Sequence, residues 1–259
     1  MKSRSYINRF LVLLLATFPL FSNGPIAAET PKTNILVLTE RGGQHEGFTK
    51  AALAWLDTFA LNHSFVIKEV HHTLDFTDAF LATYKVIIQL DYPPYTWSDS
   101  AKAAFTKYID EGRGGWVGFH HAALLGDFDG YPMWNWFSDF MGDLRFDNYI
   151  AETVSGEVHV EDPNHPVMKG VTKSFLLQKE EWYTFQKSPR AHVHVLANVD
   201  ESSYQPTSSI KMGDHPVIWV NEHKSARNVY FLMGHHAVLF ESESFKTLFS
   251  NAILWVSGK

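Results

Sequence analysis

None of the 259 residues is a cysteine. Disulfides, a lipid-anchored thiol, thiolate catalysis and cysteine-ligated metal sites are all excluded at once. Positive charge is also scarce: 22 Lys and Arg face 28 Asp and Glu, a formal net charge of −6. That balance disfavours nucleic acid and anionic membrane surfaces as partners. Several motifs are missing as well. The glycines of RGGQHEGF (41–48) are followed by neither Gly-Lys-Ser/Thr nor GxGxxG spacing, so nucleotide binding is not expected. No GxSxG elbow supplies a serine nucleophile and no HExxH marks a zinc protease. His192-Val193-His194 has the HxH form but sits inside a strand pattern without the carboxylate spacing of a zinc site. Internal repeats, low-complexity tracts and long linkers are absent too.

The only long apolar stretch lies at the start. Lys2, Arg4 and Arg9 precede or open an almost wholly apolar run at 10–21; Asn23, Gly24 and Pro25 break it, and Ala27 and Ala28 offer a cleavage point. Residues 1–28 read as a secretory signal. A bilayer span needs roughly 20 apolar residues, more than this run supplies. Cleavage would remove three cations and take the charge from −6 to −9. The expectation is a periplasmic or secreted protein with no membrane attachment after cleavage. Residues 29–259 are long enough for one domain with a sizeable core. Eight Trp among 15% aromatics suit a dense core first and sugar stacking second.

What the chain does have is histidine at the ends of apolar runs. His120-His121 closes GGWVGFHHA (114–122), and His235-His236 follows the run in VYFLMGHHAVLF (229–240). The first half alternates strand and helix patterns: strands at 34–39, 64–70, 85–90 and 116–119, helices at 48–61, 75–83 and 99–110 with Ser98 as N-cap. The second half is richer in strand, at 157–161, 192–197, 216–220 and 228–233, before a terminal helix at 244–255. Short apolar runs between helices predict an α/β fold with a mostly parallel sheet covered on both faces. Ligand crevices in such sheets lie beyond the carboxyl ends of the strands. The segments 39–45, 91–95, 120–121 and 235–236 all fall there.

Each candidate has a plainer reading beside it. His45, in the glycine-bearing loop, is a ligand or acid/base, or else a solvated loop residue. Neighbours on an extended backbone point oppositely, so one histidine of each pair faces the crevice. His120 and His235 are favoured because each follows its strand end, while the roles of His121 and His236 stay open. Glu181 in QKEEWYTF (178–185) is a carboxylate among aromatics, able to serve as acid or base, or a surface charge beside Lys179 and Glu180. His165-Pro166 and His215-Pro216 read as backbone-setting steps. His159, His192 and His194 read as structural.

Taken in order, a set of segments resembles one family. ILVLTERGGQHEGF (35–48), GGWVGFHHA (114–122), NHPVMKGV (164–171), EEWYTF (180–185), AHVHVLANVDES (191–202), DHPVIWV (214–220) and NVYFLMGHHAVLFESESFKTLFSNAILW (228–255) are similar to the ThuA-like (trehalose utilisation) family. That family belongs to the class I glutamine amidotransferase-like superfamily, so the resemblance implies a flavodoxin-like, three-layer αβα fold with extra β elements in the second half. It also implies that GFHHA (118–122) occupies the elbow where amidotransferases carry Gly-x-Cys-x-Gly, with His120 in the cysteine's place. His235 fills the partner-histidine position, and Ala237 stands where the orienting acid would be. Ammonia release from glutamine is therefore not expected. The family's usual Asp-Glu-x-Tyr appears as Glu180-Glu181-Trp182-Tyr183, and RFDNY (145–149) lacks a histidine that the family commonly offers.

Residues and resemblance together predict an enzyme that processes a small carbohydrate, a keto-sugar or disaccharide derivative, by His/Glu acid–base chemistry. His120, His235 and Glu181 would be catalytic. His45, Tyr92, Trp182, Tyr183, His121 and His236 would bind substrate, and a zinc-like divalent metal would sit on His45, His120, Glu181 and His235. The alternative is a non-catalytic sugar-binding or scaffold domain on a degenerate amidotransferase fold. Nothing in the chain points to an oligomeric state.

Overall fold

A computed structural model describes residues 32–127 and 130–259. The signal-like segment 1–28 lies outside the described residues, and residues 31–259 cluster as one compact unit. Among the described residues no helix is long and apolar enough to cross a membrane.

The fold is α/β. Strands β1 (Thr33–Leu38), β2 (Phe65–Val70), β3 (Val86–Gln89) and β4 (Gly115–Phe119) come from the first half. The second half adds β5 (Phe146–Tyr149), β6 (Val154–Val160), β7 (Ser174–Glu180), β8 (Tyr183–Phe185), β9 (His194–Gln205), β10 (Pro216–Val220) and β11 (Asn228–Phe231). Nine of them make one sheet in the order β2-β1-β3-β4-β11-β10-β9-β6-β7, and β5 pairs separately with β8. From β2 to β11 every pairing is parallel; from β11 to β7 every pairing is antiparallel.

The apolar runs become strands because both faces of the parallel part are covered. Helices α1 (Glu46–His63) and α5 (Glu243–Ser257) lie on one face. Trp55 of α1 stacks on Phe249 of α5 at 4.7 Å, and Phe119 of β4 meets Phe249 at 4.8 Å. Three residues earlier in β4, Trp116 points the other way, against Phe137 and Phe140 of α4 (Asn135–Phe140). On that second face Phe105 of α3 (Asp99–Asp110) packs on Phe137, and the short α2 (Asp78–Leu81) rests on α3. Ser98 caps α3 by accepting the Ala101 N–H, and Ser242 caps α5 by accepting that of Phe245.

The strand patterns of the first half agree with the elements within a residue or two, whereas the second half differs more. The run at 192–197 is the start of a longer β9, and β5, β7, β8 and α4 carry no clear pattern. β7 is the sheet edge, with Leu176 54% exposed, so its alternation mixes apolar and polar residues on both faces. The β5–β8 ribbon is too short to show a period. The His-Pro steps do set backbone: His165 accepts the Val167 N–H, and buried His215 faces the Tyr183 carbonyl at 2.9 Å.

Candidate functional site

The parallel strands end in register: Leu38 of β1 is level with Gln89 of β3, and Phe119 of β4 with Phe231 of β11. The residues just beyond these ends therefore meet in one place. His45 precedes α1 at the close of the loop after β1. His120 turns the chain from β4 into a short 3-10 turn with φ +37, a left-handed conformation that non-glycine residues rarely adopt. Such a backbone costs about 1–3 kcal/mol and is held only where its surroundings determine it. Gly234 makes room for this elbow, because a Cβ there would stand 2.8 Å from the His120 Cβ. Gly118 serves the core instead, since its missing side chain admits the Trp116 ring.

Four buried residues from separate segments converge. The ligating atoms of His45, His120, Glu181 and His235 all lie within 4.8 Å of one another. His235 Nδ1 is 2.9 Å from His45 Nε2 and 3.5 Å from Glu181 Oε2, and His120 Nε2 is 3.1 Å from Glu181 Oε2. The far nitrogen of His120, Nδ1, lies 2.9 Å from the Leu232 carbonyl, which can only accept, so that nitrogen carries the proton. His120 Nε2 is then the nitrogen aimed at the cluster. His121 is oriented in the same manner, with Nδ1 2.7 Å from the Asp91 carbonyl. The Asp91 carboxylate is buried, accepting the Glu40 N–H and the Thr49 hydroxyl, and so ties the loop after β1 to α1.

Burial sets the charges. It pushes the His45 imidazole down to about 2, helped by the other rings, and His120 down to about 4 despite Glu181. Burial alone would raise Glu181, but the facing rings of His120 and His235 hold its carboxyl well below the usual range. An ionised carboxylate facing imidazole lone pairs calls for a cation between them, a proton or a metal ion. The donor set, imidazoles and one carboxylate, suits zinc-like divalent ions. A tetrahedral ion with arms of about 2.0–2.1 Å needs donors about 3.3 Å apart. Three of the six separations, 2.9, 3.1 and 3.5 Å, bracket that value, and all six stay within 4.8 Å. The buried His120 N–H on a carbonyl is the support that ligating histidines characteristically have.

A cavity of ≈430 Å³ opens above this cluster, with His45, Glu181, His121 and Tyr183 at its floor. One wall is the polar loop of Glu40, Arg41, Gly42, Gly43 and Gln44; the other is apolar, made of Leu124, Phe146 and Tyr149. Arg41 is committed to Glu69 through two hydrogen bonds of 2.7 and 2.5 Å. Tyr183 lies flat against His120 at 4.1 Å between ring centres.

The remaining predicted residues fall elsewhere. Trp182 is fully buried, donates to the Val154 carbonyl and stacks on Tyr204, so it belongs to the core and not to the cavity wall. Tyr92 packs toward Trp97, and His236 sits behind His235 at 4.7 Å; neither lines the cavity. The cavity residues that sequence patterns missed are Glu40, Arg41 and Gln44 beside His45, Leu124, and the aromatics Phe146 and Tyr149 of RFDNY. The last two were legible only as a departure from the family, a loop lacking a histidine. Glu180 reads in the sequence only as a charge beside Glu181. It is wholly buried, which pushes it up to about 8 against the pull of backbone N–H groups from Glu181, His235 and Gly234.

The profile of the trehalose-utilisation family, ThuA, matches residues 34–256. The chain belongs to the ThuA family. Among solved structures, a ThuA-like protein from Bacteroides uniformis is similar at 29% identity and a TM-score of 0.78, over 88% of this chain and 93% of that one. A ThuA-like protein from Parabacteroides merdae is similar at 16% identity and 0.64, covering 89% and 91%. A cytoplasmic protein from Salmonella typhimurium shares the fold at 12% identity and 0.59, covering 86% and 98%. No curated protein matches in sequence. Membership of the ThuA family gives the chain a carbohydrate-related role and accords with the flavodoxin-like sheet.

Proposed function

We propose that this ThuA-family protein is an exported enzyme that processes a keto-sugar or a disaccharide derivative by acid–base chemistry. The observation that carries the reading is the convergence of His45, His120, Glu181 and His235 within 4.8 Å, with His45 and Glu181 on the floor of a cavity and His120 and His235 buried behind them. A keto group acidifies the neighbouring C–H, so isomerisation or elimination needs a base, an acid and a group that stabilises the oxyanion. His120, His235 and Glu181 share the acid–base duty, and Glu181 is the one of the three that faces the cavity. His120 and His235, each in contact with Glu181 Oε2, exchange protons with it as long as no metal holds those ring nitrogens. His121 and Tyr183 line the floor and orient the sugar, while Phe146 and Tyr149 offer an apolar face to the C–H side of a pyranose ring.

A divalent metal belongs to this proposal. His45, His120, Glu181 and His235 would hold it, and when bound it would supply Lewis-acid polarisation of a carbonyl oxygen. Metal analysis of protein purified without added zinc, beside His120→Ala, tests this; no metal in either sample removes it. Export is proposed from residues 1–28 and is tested by the N-terminus of the mature protein in a periplasmic fraction.

The activity itself is tested on a panel of keto-disaccharides with the parent, His120→Ala and His235→Ala. Turnover by the parent and its loss in both variants is expected. Sugar affinity unchanged in all three, with turnover in none, would overturn the enzyme in favour of a binding domain.

A further inference from the structure

Glu180 is a buried acid beside the cluster that the proton chemistry above leaves unused. It ends β7 with no exposed surface, and Lys179 before it is bent into the left-handed region at φ +53. Its Oε1 accepts two backbone N–H groups, those of Glu181 and His235, both at 3.1 Å, and the Gly234 N–H lies against the same carboxyl. Its Oε2 finds no hydrogen-bond partner among the described residues. An orphaned buried oxygen is unfavourable, and an apolar side chain would fill the niche without that penalty. The useful work of this carboxyl is therefore done by Oε1.

The two amides belong to two of the four converging residues, and these come from opposite parts of the sheet. Three strands (β10, β9 and β6) separate β11, which leads to His235, from β7, which leads to Glu181. No ladder hydrogen bond can tie such segments together. We propose that Glu180 is a positioning residue: one carboxyl oxygen clasps the main chain of Glu181 to that of His235 and thereby sets the spacing of the cluster. The geometry works in either protonation state, because Oε1 accepts both as a carboxylate and as the carbonyl oxygen of the acid. Gly234 beside the clasp keeps the approach open, since a Cβ there would press on His120.

The inference rests on the proposed metal-assisted site, so its test has a part that needs no metal. Zinc affinity is measured by competition with a chromophoric chelator, and hydrogen exchange of the Glu181 and His235 amides is followed by NMR, in the parent, Glu180→Gln and Glu180→Leu. Glutamine keeps the acceptor; leucine removes it. The expected result is parent-like behaviour in Glu180→Gln. In Glu180→Leu, zinc affinity falls by about 10- to 100-fold, the range seen when support of a ligand is removed, and both amides exchange faster. Parent-like affinity and protection in Glu180→Leu would overturn the clasp, as would equal losses in Glu180→Gln. If the parent takes up no zinc, the metal reading fails and amide exchange alone decides the clasp. If Glu180→Leu does not fold, the parent decides: Glu181 and His235 amides exchanging as fast as open-loop amides would refute it.

Discussion

Between β2 and β11 the sheet is parallel and its strands all end at one edge; beyond β11 it is antiparallel and its strand ends alternate. The site draws differently on the two regions. Every imidazole in the cluster follows a strand of the parallel part, where parallel pairing makes β1, β4 and β11 deliver their next residues to the same crevice. The carboxylate, Glu181, comes from the antiparallel part and reaches the crevice because the chain leaves β7 and turns into the β5–β8 ribbon. A parallel sheet thus concentrates functional groups by topology, whereas an antiparallel extension has to bring each one in individually.

The largest effects should come from separating the two contributions. Glu181→Gln removes the charge from the antiparallel side, and His120→Ala removes an imidazole from the parallel side. Each should lower turnover of a keto-disaccharide by about 10²–10⁴-fold, the usual contribution of a positioned acid or base. Circular dichroism and the urea midpoint would show that the fold persists. Full turnover in Glu181→Gln would mean that the antiparallel region only shapes the pocket.

Stability should divide the two regions in the same way. Phe249 is fully buried between Trp55 and Phe119 under the parallel strands, and Phe249→Ala should cost about 3–5 kcal/mol in urea unfolding. Leu176, 54% exposed on the antiparallel edge, should tolerate Leu176→Ser within about 0.5 kcal/mol. Gly234→Ala lies between them, at about 1–3 kcal/mol, because its Cβ would meet the strained His120 elbow. Equal effects at positions 249 and 176 would contradict the division.

How far the sequence could be read follows the same line. The parallel strands announce themselves as short apolar runs buried on both faces, and the glycine-histidine endings mark the crevice. The elbow at His120 was legible by resemblance; its positive φ was not, because nothing in FHHA signals a left-handed residue. Trp182 looked like a sugar platform, but in a chain with eight Trp the core claims most of them. Glu180 and Glu181 are indistinguishable as letters. One ends β7 pointing into the protein and the other, in the link to β8, faces the cavity, a difference decided by one residue of register at a sheet edge.

A pH-dependent effect probes the antiparallel region behind the site. The Glu201 carboxylate accepts the N–H groups of Met212 at 2.6 Å and Gly213 at 2.9 Å, and lies 2.9 Å from His215 Nδ1. His215 in turn faces the Tyr183 carbonyl, so this network anchors the ribbon that carries the cavity floor. Burial would raise Glu201, but hydrogen bonds from His215, Met212 and Gly213 outweigh it and hold the carboxyl below its ordinary value of 4.5. A depressed folded value means that the unfolded chain binds the proton more readily, so stability rises with pH across this window. The contribution is complete above 4.5 and is lost as pH falls through the lowered folded value. The parent should therefore exceed Glu201→Gln in melting temperature at neutral pH, and the gap should shrink on acidification below 4.5. A gap that does not change with pH would show that the anchoring owes nothing to the charge on Glu201, leaving shape alone to hold Tyr183 against His120.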